Sequence, residues 1–335
     1  MAVQDPIDRI EALIAGAEAR FQVEFLLVIQ AIRDTINLDD LADLLSQGRF
    51  AEAFGVVGDA AARLGTVATE TYVNAGASTG DFLTSEVDEI VIGFDATNER
   101  AVRAMRENRL RLVSNFTEQQ RRATQQALID GIQRGANPRE IARLFRDSIG
   151  LTPRQEQWVR NYERALRELD RAALARELRD RRFDPTVERA IARGEPLTDA
   201  QIQRMVERYR QRALTLRAET IARTEALRVT HEGIDEMYEQ AIDSGVLNRD
   251  QLIREWNTAG DERVRDFATG SQTSHRTMHH QTRLVGEPFA SGAGNLTLHP
   301  GAFGVANEDI NCRCIVTTRI LLLNEIPGAF SAAII

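Results

Sequence analysis

Both cysteines of this 335-residue chain, Cys312 and Cys314, stand one residue apart. Four of its five histidines, His275, His279, His280 and His299, lie just upstream. Thiols and imidazoles are ligands for zinc-class metals, and here all but His231 fall within residues 275–314. Ile310, Ile315 and Val316 favour an extended chain, in which residues i and i+2 point to one side. Cys312 and Cys314 then share a face, with Arg313 opposite. A disulfide closing across a single residue is geometrically poor. Two readings remain open. In one, both cysteines are small apolar residues on a core strand. In the other they hold one structural zinc with His275, His299 being the fourth ligand and His279, one helical turn from His275, in reserve.

A catalytic version of the same cluster is the alternative function: a zinc-dependent nuclease or hydrolase with water on the metal and Glu262 or Glu308 as general base. Neither an HExxH nor a deaminase pattern is present. Ser274 beside His275 is not a triad, because neighbours in the chain seldom face each other. The chemistry therefore points to binding, not catalysis.

Composition narrows the field further. Hydrophobic residues make up 43% and charged residues 27%, ordinary values for a globular protein. The formal net charge of −8 is unevenly spread. Residues 1–96 hold 5 arginines against 17 acids, and residues 97–230 hold 29 arginines against 19 acids. All 42 basic residues are arginine. Without lysine there is no Schiff-base chemistry and no Walker-type phosphate loop. The first residues lack a basic stretch followed by an apolar one, so no signal peptide is expected, and no run is long enough for a membrane span.

The elements that must position the cluster are mostly helical. Asp5-Pro6 suits a helix start, and Ile7, Ile10, Ile14, Ala17, Phe21, Phe25, Val28 and Ile32 recur at heptad-like spacing. That seam is either a core face or a docking face for a partner. Leu38 to Leu45 and Phe50 to Leu64 read as shorter helices broken at Gly48 and Gly65. From Asn98 to Ile149 the pattern is helical and arginine-dense, with Asn137 as N-cap and Pro138 as first residue of a helix. A helix from Leu151 to Asp180, begun by Thr152-Pro153, is broken by Phe183-Asp184-Pro185. Thr198 caps the next, which runs from Asp199 as far as Gln240. Arg171, Arg176, Arg179, Arg181 and Arg182 form a basic stripe for loose, sequence-indifferent contact with DNA. Its competing reading is a solvated helix face. After Gly245, Gly, Thr, Ser and Asn increase and β-prone runs appear at Thr297-Leu298 and Ile315 to Thr318. Ser291-Gly292-Ala293-Gly294-Asn295 reads as a turn.

The expected fold class is therefore mainly α: a long-helix N-terminal and central helical region with a small C-terminal α+β domain. By composition the chain divides into an acidic helical region (1–96), an arginine-rich helical region with a long hairpin at about 151–215 (97–244), the α+β domain (245–319) and an apolar tail (320–335).

One ordered set of motifs is more specific. Thr224-Glu225 near a helix end is followed by Trp256, Asp261-Glu262-Arg263-Val264-Arg265, His275, Pro300-Gly301 and Asn311-Cys312-Arg313-Cys314. This order resembles the phage Mu F-like head morphogenesis domain, also named after the minor head protein of phage SPP1. The likeness covers roughly residues 118–318. Residues 266–273 look inserted, and His280 stands where the family often has glycine. The resemblance implies a minor capsid protein of a tailed bacteriophage, associated with the portal inside the head. It would act in procapsid assembly and in DNA packaging or ejection. The portal protein and other capsid proteins would be its partners, and it would be made in the host cytoplasm. Thr224-Glu225 and Asp261/Arg265 are expected to form polar pairs that tie the helix to the β unit.

Overall fold

A computed structural model of the chain describes residues 5–47, 49, 52, 62–86 and 91–321. Helices dominate: α1 (Pro6–Thr35), α2 (Leu38–Ser46), α3 (Ala62–Glu86), α4 (Glu99–Gln133), α5 (Pro138–Ser148), α6 (Pro153–Arg167), α7 (Asp184–Arg193) and α8 (Asp199–Asp243). Strands follow: β1 (Leu252–Asn257), β2 (Thr282–Leu284), β3 (Phe289–Ala290) and β4 (Leu296–Thr297). A short helix α9 (Ala306–Asp309) then precedes β5 (Ile315–Ile320). The fold is mainly α with a small C-terminal β region, as expected. Among the described residues no helix is long and apolar enough to cross a membrane.

Two compact units share the chain. One takes Met1–Gln22, Gly65–Leu110 and Thr220–Ile335; the other takes Val23–Leu64 and Arg111–Glu219. Both therefore draw on the acidic N-terminal stretch and on the arginine-rich middle, whereas residues 245–319 lie wholly in the first.

Local chemistry accounts for the helix starts. The Asp5 carboxylate accepts from the Ile7 N–H at 2.8 Å, and the α1 seam from Ile10 to Ile32 is buried, which makes it a core face. Asn137 accepts from the Glu140 N–H ahead of Pro138, the first residue of α5. Thr152 and Gln155 form a capping box before α6, and Thr198 with Gln201 repeats it before α8.

The structure corrects three expectations. Gly65 does not break a helix. It lies within α3, where a Cβ would meet the Arg109 Cγ at 2.4 Å, so the glycine permits close packing. The helix begun at Thr152-Pro153 ends at Arg167, not Asp180, because Leu169 takes a left-handed φ of 53°. Asp170 and Asp180 then cap separate 3₁₀ turns. Asp184-Pro185 starts α7 instead of ending a helix, since proline fits a first turn whose N–H needs no partner. Within residues 151–215, α6 and the first part of α8 still lie antiparallel, with Gln155 donating to the Ala213 carbonyl at 3.1 Å and Tyr162 stacked on Tyr209 at 4.5 Å, and the short elements form the connection between them. The expected helix over Phe50 to Leu64, the break at Gly48 and most of the apolar tail (322–335) lie outside the described residues.

In the second unit, α1, α4 and α8 converge on Phe25 and Phe116, whose rings meet edge-on at 5.8 Å. Glu156 on α6 is only 5% exposed, and one carboxylate oxygen has no hydrogen-bond partner. Burial pushes its pKa up to about 7, against the pull of Arg210 and Arg160. The folded chain therefore holds a proton that the unfolded chain releases, and stability falls as pH rises from the ordinary carboxylate range through about 7. The loss is on the order of 3 kcal/mol. Glu156→Gln is expected to remove that slope and to be the more stable protein at pH 8. Urea unfolding at pH 5 and pH 8 checks this, and an unchanged slope in the variant would assign it to another group.

In the first unit β1 is the centre of an antiparallel sheet ordered β2-β1-β5. Trp256 faces Val316 across β5, and Ile253 faces Leu284 on β2. Leu252, Arg254 and Trp256 point inward along β1. Arg254 is tolerated there because Asp235 of α8 accepts from its Nη2 at 2.8 Å. β3 and β4 form a hairpin, with Phe289 opposite Thr297, and residues 291–295 make the expected turn.

Candidate metal centre

His275 sits just before a 3₁₀ turn (Arg276–Met278), where its N–H donates to the Arg265 carbonyl at 3.0 Å. Opposite it runs the stretch between α9 and β5. Asn311 takes a left-handed φ of 59°, and its N–H donates to the Thr224 hydroxyl at 3.1 Å. The next residues turn both cysteines inward. They precede β5, which begins at Ile315, so they are not on the strand as expected. Both are buried all the same, and Arg313 between them is only partly covered.

Each Sγ, of Cys312 and of Cys314, lies 3.5 Å from His275 Nδ1. The three ligand atoms lie within 4.8 Å of one another. A tetrahedral zinc with Zn–S near 2.3 Å and Zn–N near 2.0 Å separates sulfur from nitrogen by about 3.5 Å. The spacing fits a thiolate–imidazole metal group, and the cluster can bind a metal.

The other ring nitrogen, Nε2, is 2.7 Å from the Glu308 carboxylate. Glu308 is fully buried, and its second oxygen accepts from Thr273 (2.8 Å), Ser291 (2.8 Å) and Asn295 (2.7 Å). A carboxylate on the far nitrogen fixes the ring and directs Nδ1 at the sulfurs. Burial alone would raise the Glu308 pKa, but the bonds from Asn295, Ser291, Thr273 and His275 outweigh it and hold the carboxyl low. Burial likewise disfavours a charged His275, yet the bonds to Cys312 and Glu308 leave its pKa raised. The Cys314 thiol, helped by His275, holds Cys312 well below its ordinary range, while Cys314 is pushed well up. Aromatic rings complete the wall. Phe303 stacks on His275 at 5.4 Å and Trp256 meets it edge-on at 6.1 Å.

Two expected ligands are elsewhere. His299 is buried but stacks on His231 at 6.0 Å, with Nδ1 3.0 Å from the Pro300 carbonyl. That packing keeps it out of the group. His279 is exposed and accepts from the Thr258 N–H at 3.3 Å. His280 takes a left-handed φ of 63°, a conformation that glycine adopts freely.

The remaining motif residues act as frame. Asp261 pairs with Arg263 (2.8 Å from Nε), not with Arg265 as expected, because Arg265 turns away to donate to the Ile310 carbonyl. Glu225 pairs with Arg228 at 2.6 Å. Gly301, after Pro300, has φ 83°, and a Cβ there would press on Arg228 at 3.0 Å. Of the basic stripe, Arg179 is paired with Asp184 and Arg182 with Asp180. Arg171 and Arg181 are exposed, and Arg176 donates its backbone N–H to Ala173. These five lie in and around 3₁₀ turns, not on one helix face.

Sequence reasoning named Glu308 only as a possible base and missed its three donors. The signal was present: an acid four residues ahead of Cys312, within the motif stretch.

Residues 181–317 match the family model described as Phage Mu protein F like protein. The likeness covers less than half of the chain. It takes in every motif from Thr224 to Cys314, including the three clustered ligands and Glu308. No curated protein and no solved structure matches the chain.

Proposed function

We propose that the chain is a minor head protein of a tailed bacteriophage. It would lie inside the head by the portal and act in procapsid assembly and in DNA packaging or ejection. The observation that carries this reading is the Mu F-like match over the segment that holds the whole cysteine–histidine group. It works by binding. Glu308, the candidate base, has both oxygens committed to His275 and three further donors, which leaves it a supporting role. The group holds one structural zinc through His275, Cys312 and Cys314, for which the 3.5 Å spacings speak. Co-expression with the portal protein of the same phage should give a complex that survives purification. A chain that purifies alone, and is missing from mature and immature heads, would overturn the proposal.

Contact with packaged DNA belongs to the same reading and draws on the arginine excess of residues 97–230. The full chain should retard duplex DNA at low salt only, without sequence preference, and release it steeply as salt rises. Retention at high salt, or a preferred sequence, would contradict it.

A further inference from the structure

The zinc reading above leaves one coordination position to explain, because a tetrahedral ion takes four ligands and the group supplies three. Among the described residues no fourth histidine, cysteine or carboxylate joins it. The obvious candidates are spent. Glu308 holds His275 and three donors, Asp309 accepts from the Phe303 N–H at 3.0 Å, and His299 is packed on His231. Trp256 and Phe303 close the His275 side with rings that offer no ligand atom.

The Cys312 side is different. Cys312 lines a groove of about 210 Å³ together with Glu11, Ile14, Glu18, Arg223, Leu227 and Arg313. Glu18 and Arg223 face each other there at 3.4 Å, and Arg313 adds a second guanidinium. The metal group is therefore walled by aromatic rings on one side and adjoins a groove of mixed charged and apolar lining on the other.

We propose that the site is a three-ligand zinc centre whose fourth position is filled from outside the chain, through the groove beside Cys312. Water fills it in the absence of anything better. A small monodentate ligand of either charge fits, because Glu11 and Glu18 balance Arg223 and Arg313 along the approach. The inference rests on the zinc reading, and the two can fail separately.

The test uses the full chain loaded with one equivalent of Co²⁺, which takes the place of zinc and reports its ligands by visible absorption. Sodium azide is the probe. Azide is expected to shift the visible bands saturably, and to do so equally in wild type and in His299→Ala. Cys314→Ser should lose about half of the thiolate-to-cobalt charge-transfer intensity. Bands that azide does not move, with cobalt bound one to one, would overturn the open position and leave the zinc reading standing. An altered cobalt spectrum in His299→Ala would do the same, by making His299 the fourth ligand. A chain that binds neither zinc nor cobalt stoichiometrically would sink both.

Discussion

Cys312→Ser is expected to lower zinc from one per chain to well under one and to loosen the whole region from β1 to β5. Two segments that are far apart in sequence meet at this residue. His275 stands before a 3₁₀ turn, Glu308 is on α9, and the cysteine stretch leads into β5, whose partner β1 carries Trp256. Metal ligation of this kind is folding free energy, on the order of 10 kcal/mol in small zinc domains. Losing one of three protein ligands should therefore cost more than ~3 kcal/mol. A cysteine that merely fills core space would cost roughly 1–3 kcal/mol for the same change. Metal analysis of protein purified without chelator, paired with thermal melting, separates the outcomes. A zinc-free wild type with freely reacting thiols would end the metal reading.

The second large effect is expected at Gly233, in the middle of α8. A Cβ there would stand 2.3 Å from the Tyr72 carbonyl oxygen on α3 and 3.1 Å from the Ala75 Cβ. The obstructing atom is backbone, so no side-chain rotation relieves the overlap. In an isolated helix alanine is favoured over glycine by about 1 kcal/mol, so the sign of the change is diagnostic. Gly233→Ala should destabilise the first unit by ~3 kcal/mol or more, since the two helices must move apart. A melting temperature equal to or above wild type would show that they are not in contact here.

Much of this architecture is legible in the sequence because it depends on near neighbours. Asn137, Thr152 and Thr198 cap helices three residues at a time, and the apolar seam of α1 needs only its own periodicity. The meeting of Cys312 and Cys314 with His275 is legible because both thiols and most imidazoles of the chain fall in one short stretch. What escaped depends on partners distant in the chain. Gly65 reads as a helix breaker, yet it is shaped by a neighbouring segment through Arg109, and Tyr72 shapes Gly233 in the same way. His299 looked like a ligand because it is close to the cysteines in sequence. Its ring instead stacks on a histidine 68 residues upstream, His231. The premature end of the helix at Arg167 hangs on one left-handed leucine, Leu169, which no propensity scale selects.

The interleaving of the two units has a consequence for how the chain emerges from the ribosome. Residues 1–22 belong with residues 220–335, so the first helix to be made waits for nearly the last strand. At about 5–20 residues per second, that wait lasts on the order of tens of seconds. During it the buried face of α1, from Ile10 to Phe21, has no partner from α8 or the sheet. The second unit, closed once Glu219 is out, is the part that can form first. Nascent chains stalled before β5 should therefore be protease-resistant over residues 23–47 and 111–219, which belong to the second unit, and open in the segments of the first.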